Sequence, residues 1–250
     1  MLNVAGSLVF WAFLVVTSLA LFPVAVLIWA VTLPFDRRLT VLHRFTCFWG
    51  SLYTWLNPLW PVTIQGRERV EPGRTYVMVA NHLSLLDILV LFRLFTHFKW
   101  VSKVENFRVP FIGWNMSMNR YIRLRRGSRE SVIQMMELCR AALLGGNSIM
   151  MFPEGSRSAD GHLKPFKPGA FELAIATGAP VLPMVIEGTA RALPKRGFVL
   201  RGRHPIRVRI LDEVAPAGFA SAELTDHVRQ IIAREVGEVA AAEPLRASGR

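Results

Sequence analysis

Apolar and polar positions along the chain fall into three regimes. Residues 4 to 34 carry no charged side chain. As one helix, such a run rises about 46 Å, more than the roughly 30 Å hydrocarbon core of a bilayer. Two full spans need about 40 residues, so a complete transmembrane hairpin is excluded on length. Pro23 interrupts the run and predicts a kink. A single kinked span and two short helices dipping into one leaflet both fit. A cleaved signal peptide fits worse, because the stretch lacks a basic leading region and is too long. In the second regime, residues 39 to 60, Phe45, Phe48, Trp49, Tyr53, Trp55 and Trp60 are interleaved with a few polar groups. This predicts an interfacial helix, since rings with polar tips favour a membrane surface. A helix packed on a soluble domain has the same pattern.

From residue 61 the third regime alternates. Short apolar runs at 62–65, 76–80, 98–102, 120–124, 148–152, 181–187 and 206–211 predict strands. Helical periodicity occupies about 85–96, 129–144, 168–177 and 221–236. Strands alternating with helices predict an α/β fold with a largely parallel sheet flanked by helices. Pro183 cannot donate to a sheet ladder, so its strand is expected at an edge or as a pocket wall. The division that follows is membrane-anchoring helices over 1–60, an α/β domain over 61–240 and a loose tail over 241–250.

Composition changes this picture in one respect. The 250 residues are 52% hydrophobic and carry a formal charge of +12, from 30 Lys and Arg against 18 Asp and Glu. A basic, apolar chain suggests anionic partners such as phospholipid headgroups or phosphorylated substrates. Nucleic acid is not expected, because no recognition motif or polar basic domain is present. Arg37, Arg38 and Arg44 follow the apolar run. By the positive-inside rule they put residue 37 onward on the cytoplasmic side of an inner membrane. Cys47 and Cys139 are too few for a disulfide framework or a metal set. Cys139 shares a helical stripe with Val132, Met135, Met136 and Leu143 and reads as core.

Candidate chemistry gathers in four blocks. In Asn81-His82-Leu83-Ser84-Leu85-Leu86-Asp87, a buried strand gives way to a helix. Ser84 reads as its N-cap and Asp87 as the acid of its first turn. Positions five apart on a helix point about 140° apart. His82 therefore meets Asp87 only from outside the helix, with the chain curled over its first turn. A carboxylate on one imidazole nitrogen fixes the tautomer and makes the other nitrogen a better base. The second block, Tyr121 to Ser128, ends a strand in Arg123, Arg125 and Arg126, and guanidinium groups bind phosphate in bidentate fashion. Strand alternation puts Arg123 and Arg125 on one face and Arg126 on the other. In the third, Phe152 to Arg157, Glu154 stands where an apolar strand meets a turn and needs a partner or a substrate hydroxyl. The fourth is Val181 to Val185.

Together these blocks resemble the glycerolipid acyltransferase family, most closely its 1-acylglycerol-3-phosphate O-acyltransferases. His82 and Asp87 match the family's His-x-x-x-x-Asp motif, and Arg126 the arginine closing its second motif. Phe152 to Gly155 match its third and Val181 to Val185 its proline-containing fourth. Many relatives have an acid where this chain has Arg125. The resemblance implies that His82 deprotonates an acceptor hydroxyl, which attacks an acyl thioester, with Asp87 orienting the ring. It assigns Glu154 and Gly155 to a glycerol backbone and Arg126 to its phosphate; Lys103 and Arg157 are further phosphate candidates from charge and position. Backbone N–H groups near Ser84, or a basic side chain, are expected to stabilise the oxyanion. Lysophosphatidic acid is the implied acceptor, acyl-CoA or acyl carrier protein the donor, and the bilayer a partner, with no metal or other cofactor. Glycerol 3-phosphate or another lysolipid remains an alternative acceptor, and a non-catalytic lipid-binding module an alternative role. A serine hydrolase is not supported, because no Gly-x-Ser-x-Gly elbow occurs. Between Gly188 and Leu211, Arg191, Lys195, Arg196, Arg201, Arg203, Arg207 and Arg209 stand without an acid. They fit anionic lipid, coenzyme A phosphates, an acidic carrier protein or a solvated face.

Overall fold

The apolar runs of the third regime become a seven-stranded sheet with helices packed on both sides of its central strands. The structure, a computed structural model, describes residues 2–158, 161–195 and 197–237; the expected tail at 241–250 and Arg196 lie outside them. The strands are β1 (Val62–Gln65), β2 (Val77–Ala80), β3 (Phe98–Lys103), β4 (Ile122–Leu124), β5 (Ser148–Met151), β6 (Val181–Glu187) and β7 (Ile206–Ile210). Their order is β1-β7-β6-β2-β5-β3-β4. β6, β2, β5, β3 and β4 run parallel, while β7 is antiparallel to β6 and β1 follows β7. The helices are α1 (Leu2–Thr32), α2 (Thr40–Trp55), α3 (Leu86–Phe92), α4 (Ile112–Met118), α5 (Arg129–Leu144), α6 (Gly169–Thr177), α7 (Thr189–Ala192) and α8 (Ser221–Glu235).

Strand alternation sorts the core into two layers. Tyr76, Met78 and Ala80 of the β2 segment face a cluster built with Leu42, Cys47, Leu86 and Leu91 from α2 and α3. Val77 and Val79 face the other way, onto Cys139 and Leu143 of α5, Phe171 of α6 and Val228 of α8. Cys139 is core as expected, and burial pushes its thiol up to about 12. Val132, one turn before Met135, points outward instead.

Pro183 does not lie on an edge. β6 sits inside the sheet, between β7 and β2. The β6–β7 register slips by one residue between the Met184–Ile210 pair and the Val181–Val214 bridge. Pro183 falls within this slip, where its carbonyl still accepts from Leu211 N, and a bulge tolerates a residue without an N–H.

α1 runs unbroken through Pro23, and by length and composition Asn3–Thr32 is able to cross a membrane. It also lies against the α/β domain. The Trp11 indole donates to Phe198 O at 2.7 Å, Phe10 packs on Trp60, and Phe22 packs on Phe111 and Trp114. α2 packs on the domain and leaves part of its apolar surface outside. His43, Cys47, Gly50 and Thr54 are buried against the domain, while Val41, Phe48 and Trp55 stay exposed. Gly50 permits the approach of α3, since a Cβ there stands 2.5 Å from Phe92 Cδ2. Gly50→Ala is expected to destabilise the fold by about 1–3 kcal/mol through overpacking. Gly6→Ala, with nothing within 4 Å, is the control. Denaturant titration of both variants checks this; an unchanged Gly50→Ala midpoint refutes the tight contact.

Candidate active site

Parallel pairing of β2 with β5 builds the site. Val77 faces Ile149 and Val79 faces Met151, a constant offset of 72 residues. Continued two or three residues beyond the strand ends, the same offset brings His82 beside Glu154. Accordingly Oε1 of Glu154 accepts from His82 N at 2.7 Å, and Ser158 N donates to His82 O at 2.7 Å. On the other side of β2, the Asn81 amide replaces one rung of the ladder. Its Nδ2 donates to Ile186 O at 2.9 Å and its Oδ1 accepts from Ile186 N at 2.8 Å. The turn carrying His82 is thus fixed to both neighbouring strands.

Asp87 closes the turn from within. Its Oδ2 accepts from His82 Nδ1 at 2.8 Å, Leu83 N at 2.7 Å and Ser84 N at 2.8 Å. The Asp87 side chain is fully buried and that of His82 is 13% exposed. A carboxylate only accepts, so Nδ1 carries the proton and Nε2 presents a lone pair. Ser84 is not the simple cap expected. Its Oγ donates to Leu193 O at 2.6 Å and accepts from Leu86 N at 3.3 Å, and α3 begins two residues later. Asp87 does most of the capping, reaching back over the turn. One expectation is narrowed as a result. The Leu83 and Ser84 N–H groups are occupied by Asp87, so neither of these two is available to an oxyanion.

Glu154 is 4% exposed. Its Oε2 accepts from Lys164 N at 3.2 Å, so each oxygen holds a main-chain N–H. Burial nevertheless raises its carboxyl to about 7, against the bonds from His82 and Lys164. Gly155 follows with φ +69°, a conformation few side chains adopt, and its missing Cβ leaves room for the Lys167 stem. Arg157 lies close enough to Asp87 for their charges to interact, while burial lowers its own affinity for a proton. Lys103 ends β3 and pairs with Glu105 at 3.2 Å. Arg126 is exposed in the turn after β4. Three strand spacings separate β4 from β2, about 14 Å. Arg126 thus follows the strand most distant from β2 on this side of the sheet, while Lys103 ends the strand before it in the order.

β4 ends at Leu124, so strand alternation does not extend to Arg125 and Arg126. Arg123 and Arg125 nevertheless line one cavity of about 310 Å³ with Ser128 and Ser131, and Arg126 is not among its walls. In the basic stretch, Arg209 is bound to Glu235 at 2.5 Å and faces Glu187 at 3.5 Å. Its partners lie outside the stretch, which is why it looked free. Sequence reasoning gave no role to Phe152, Lys164 or Ser158. Phe152 stacks on the His82 ring; its only signal was its place in the third motif. Among the described residues, no three His, Cys, Asp or Glu side chains are grouped to hold a metal ion.

The raised Glu154 carboxyl makes a pH prediction. The folded state holds a proton on Glu154 up to about 7, whereas the unfolded chain releases it near 4.5. Glu154 therefore contributes stability that is fully present below 4.5 and lost as pH rises through 7. Relative to Glu154→Gln, the wild-type protein should lose stability between pH 4.5 and 7 and change little above. Denaturant midpoints of both proteins measure this; a constant difference across the window contradicts the shift.

A family model described as acyltransferase matches residues 61–187, just over half of the chain. A 1-acyl-sn-glycerol-3-phosphate acyltransferase of Chlamydomonas reinhardtii is 35% identical over 227 residues, covering 89% of this chain and 66% of that protein. A chloroplastic protein of the same name from Brassica napus is 36% identical over 207 residues, covering 82% and 59%. The chain thus spans between about half and two thirds of the length of the first curated relatives it matches. The crystal structure of the 1-acyl-sn-glycerophosphate (LPA) acyltransferase PlsC from Thermotoga maritima superposes with a TM-score of 0.75 at 23% identity, over 97% of this chain and 99% of that one. That likeness speaks for the fold. The matched model runs from β1 through the His82 and Glu154 turns to the end of β6, and on this ground the chain belongs to the acyltransferase family.

Proposed function

We propose that the protein transfers an acyl group from an acyl thioester to the free sn-2 hydroxyl of lysophosphatidic acid, giving phosphatidic acid. The observation that carries this reading is the 2.8 Å bond from His82 Nδ1 to a buried carboxylate, which leaves Nε2 as the base. The acceptor hydroxyl gives its proton to Nε2 as its oxygen attacks the thioester carbonyl. The tetrahedral intermediate collapses with cleavage of the C–S bond, and the imidazolium returns the proton to the departing thiolate. Ester and thiol are the products, and no acyl-enzyme forms. Asp87 holds the tautomer and stabilises the imidazolium. Arg157, Lys103 and Arg126 would hold the phosphate, and the main chain at Gly155 would contact the glycerol. The direct bonds of Glu154 to main-chain N–H groups support a role on the substrate exerted through the His82 turn.

The donor is an acyl-CoA or an acylated carrier protein. Membrane attachment is the second part of the proposal. Leu8, Val16, Leu19 and Leu27 of α1 are exposed, as are Phe48 and Trp55 of α2, and an apolar surface of this kind favours lipid. The site would face the cytoplasm at the inner membrane, with Arg37, Arg38 and Arg44 on that side.

Purified protein, offered a labelled acyl thioester and a panel of lysolipids and glycerol 3-phosphate, tests the reading. Lysophosphatidic acid should be acylated best. Arg126→Ala should lower kcat/KM for it by about 30-fold, mainly through binding, and barely change the use of lysophosphatidylcholine. Arg125→Ala should cost much less. Equal losses on both acceptors would make Arg126 structural, and a loss confined to Arg125→Ala would move the phosphate to the Arg123–Arg125 cavity. No transfer to any acceptor would leave a lipid-binding module.

A further inference from the structure

The His82 ring does not stand free above its turn. It lies on the ring of Phe152, with centroids 3.9 Å apart and planes within 7°. Phe152 rests in turn on Trp100, at 5.6 Å and 31°, and Trp100 meets Phe98 edge-on at 5.2 Å. Trp100 is 4% exposed and Phe98 fully buried. The imidazole thus caps an aromatic column that is rooted in the core.

The sheet register explains the stack. Extended by one residue, the β2–β5 pairing sets Ala80 opposite Phe152. His82 stands one pleat further along the same face of β2, so its ring comes down diagonally over Phe152. Asp87 holds Nδ1 and Glu154 holds the main chain of His82, but neither fixes the plane of the ring. A single hydrogen bond along the Nδ1 direction leaves the ring able to tilt about it. Contact with a flat partner removes that freedom. The face of a benzene ring is also its negative side, so it interacts more favourably with an imidazolium than with a neutral imidazole. The gain arises when His82 takes the acceptor's proton.

We propose that Phe152 is a positioning residue for the base: its ring sets the plane of the His82 imidazole, and hence the direction of Nε2. The inference rests on the acyl-transfer reading above. It concerns only how the base is held, not which acceptor is used.

Phe152→Leu keeps an apolar side chain but removes the flat face, and Phe152→Tyr restores it. Both are assayed with lysophosphatidic acid and an acyl thioester beside the wild type and His82→Ala. A misaimed base loses turnover steeply, so Phe152→Leu should lower kcat by about 10-fold, with both KM values within about twofold. Phe152→Tyr should recover most of the loss. A structural readout accompanies the kinetics. Protons of the His82 ring lie in the shielding region of Phe152, so their NMR signals should move downfield in Phe152→Leu and stay in place in Phe152→Tyr. Should Phe152→Leu fail to fold, Phe152→Met, unbranched and apolar, is read in the same way. A kcat of the flat-face-deleted variant within twofold of wild type, a loss appearing as KM alone, or equal losses in the leucine and tyrosine variants would each overturn the proposal. A wild-type protein without transfer activity would instead defeat the functional reading. An active wild type with an unaffected Phe152→Leu defeats this inference alone.

Discussion

A single oxygen, Oδ2 of Asp87, receives three hydrogen bonds, from His82 Nδ1 and from the main-chain N–H groups of Leu83 and Ser84. Burying a carboxylate is costly unless donors replace its water. Here the replacement donors are the His82 imidazole and the turn that carries it. The charge that orients the imidazole therefore also shapes the segment from which the imidazole projects. Fold and chemistry are coupled at this atom: a chain that fails to form the turn leaves a buried charge without partners. The same bonds occupy the Leu83 and Ser84 amides, so these two are not free to meet an oxyanion.

The rest of the architecture supplies a fixed frame for that turn. A parallel pairing with a constant offset carries the His82 and Glu154 turns to one end of the sheet, where α/β folds place their ligands. Asn81 ties the turn to β6, Glu154 ties it to β5, and Ser84 ties it to Leu193. Leu193 opens the loop that reaches Phe198 and Leu200, and these bond Trp11 and Ser7 of α1. Residues on either side of this segment thus contact both the apolar N-terminal helix and the turn that carries His82.

Much of this was legible in the residues, and the remainder was not for definite reasons. The central strands β2, β5 and β6 appear as nearly unbroken apolar runs, because strands covered on both faces need no polar positions. β1 and β7 alternate apolar with polar residues because one face is exposed. His82 and Asp87 were readable because the spacing of five demands a curled turn, which the following residues can cap. Long-range pairing leaves no such local trace. Nothing near Glu154 announces that its partners are His82 N and Lys164 N, and nothing near Arg209 announces Glu187 and Glu235. α4 escaped notice because Ile112–Met118 is short and mixes Gly113, Asn115 and Ser117 with its apolar residues. Pro183 misled for a related reason. A missing N–H matters only opposite a partner, and the one-residue slip between β6 and β7 is invisible in the sequence. Phe152 was visible as a motif residue, but its stacking on His82 depends on a strand pairing that only the fold reveals.

The claim on which the account rests is that Asp87 acts on the reaction through the imidazole of His82. A double-mutant cycle in kcat/KM isolates that dependence, using His82→Ala, Asp87→Asn and the two combined. Removing a general base costs about 10²–10⁴-fold, and with the ring gone Asp87 has nothing left to orient. The account predicts that the double variant is no slower than His82→Ala alone. Losses that multiply would contradict it, because they would mean that the carboxylate serves the reaction independently of the histidine it is bonded to.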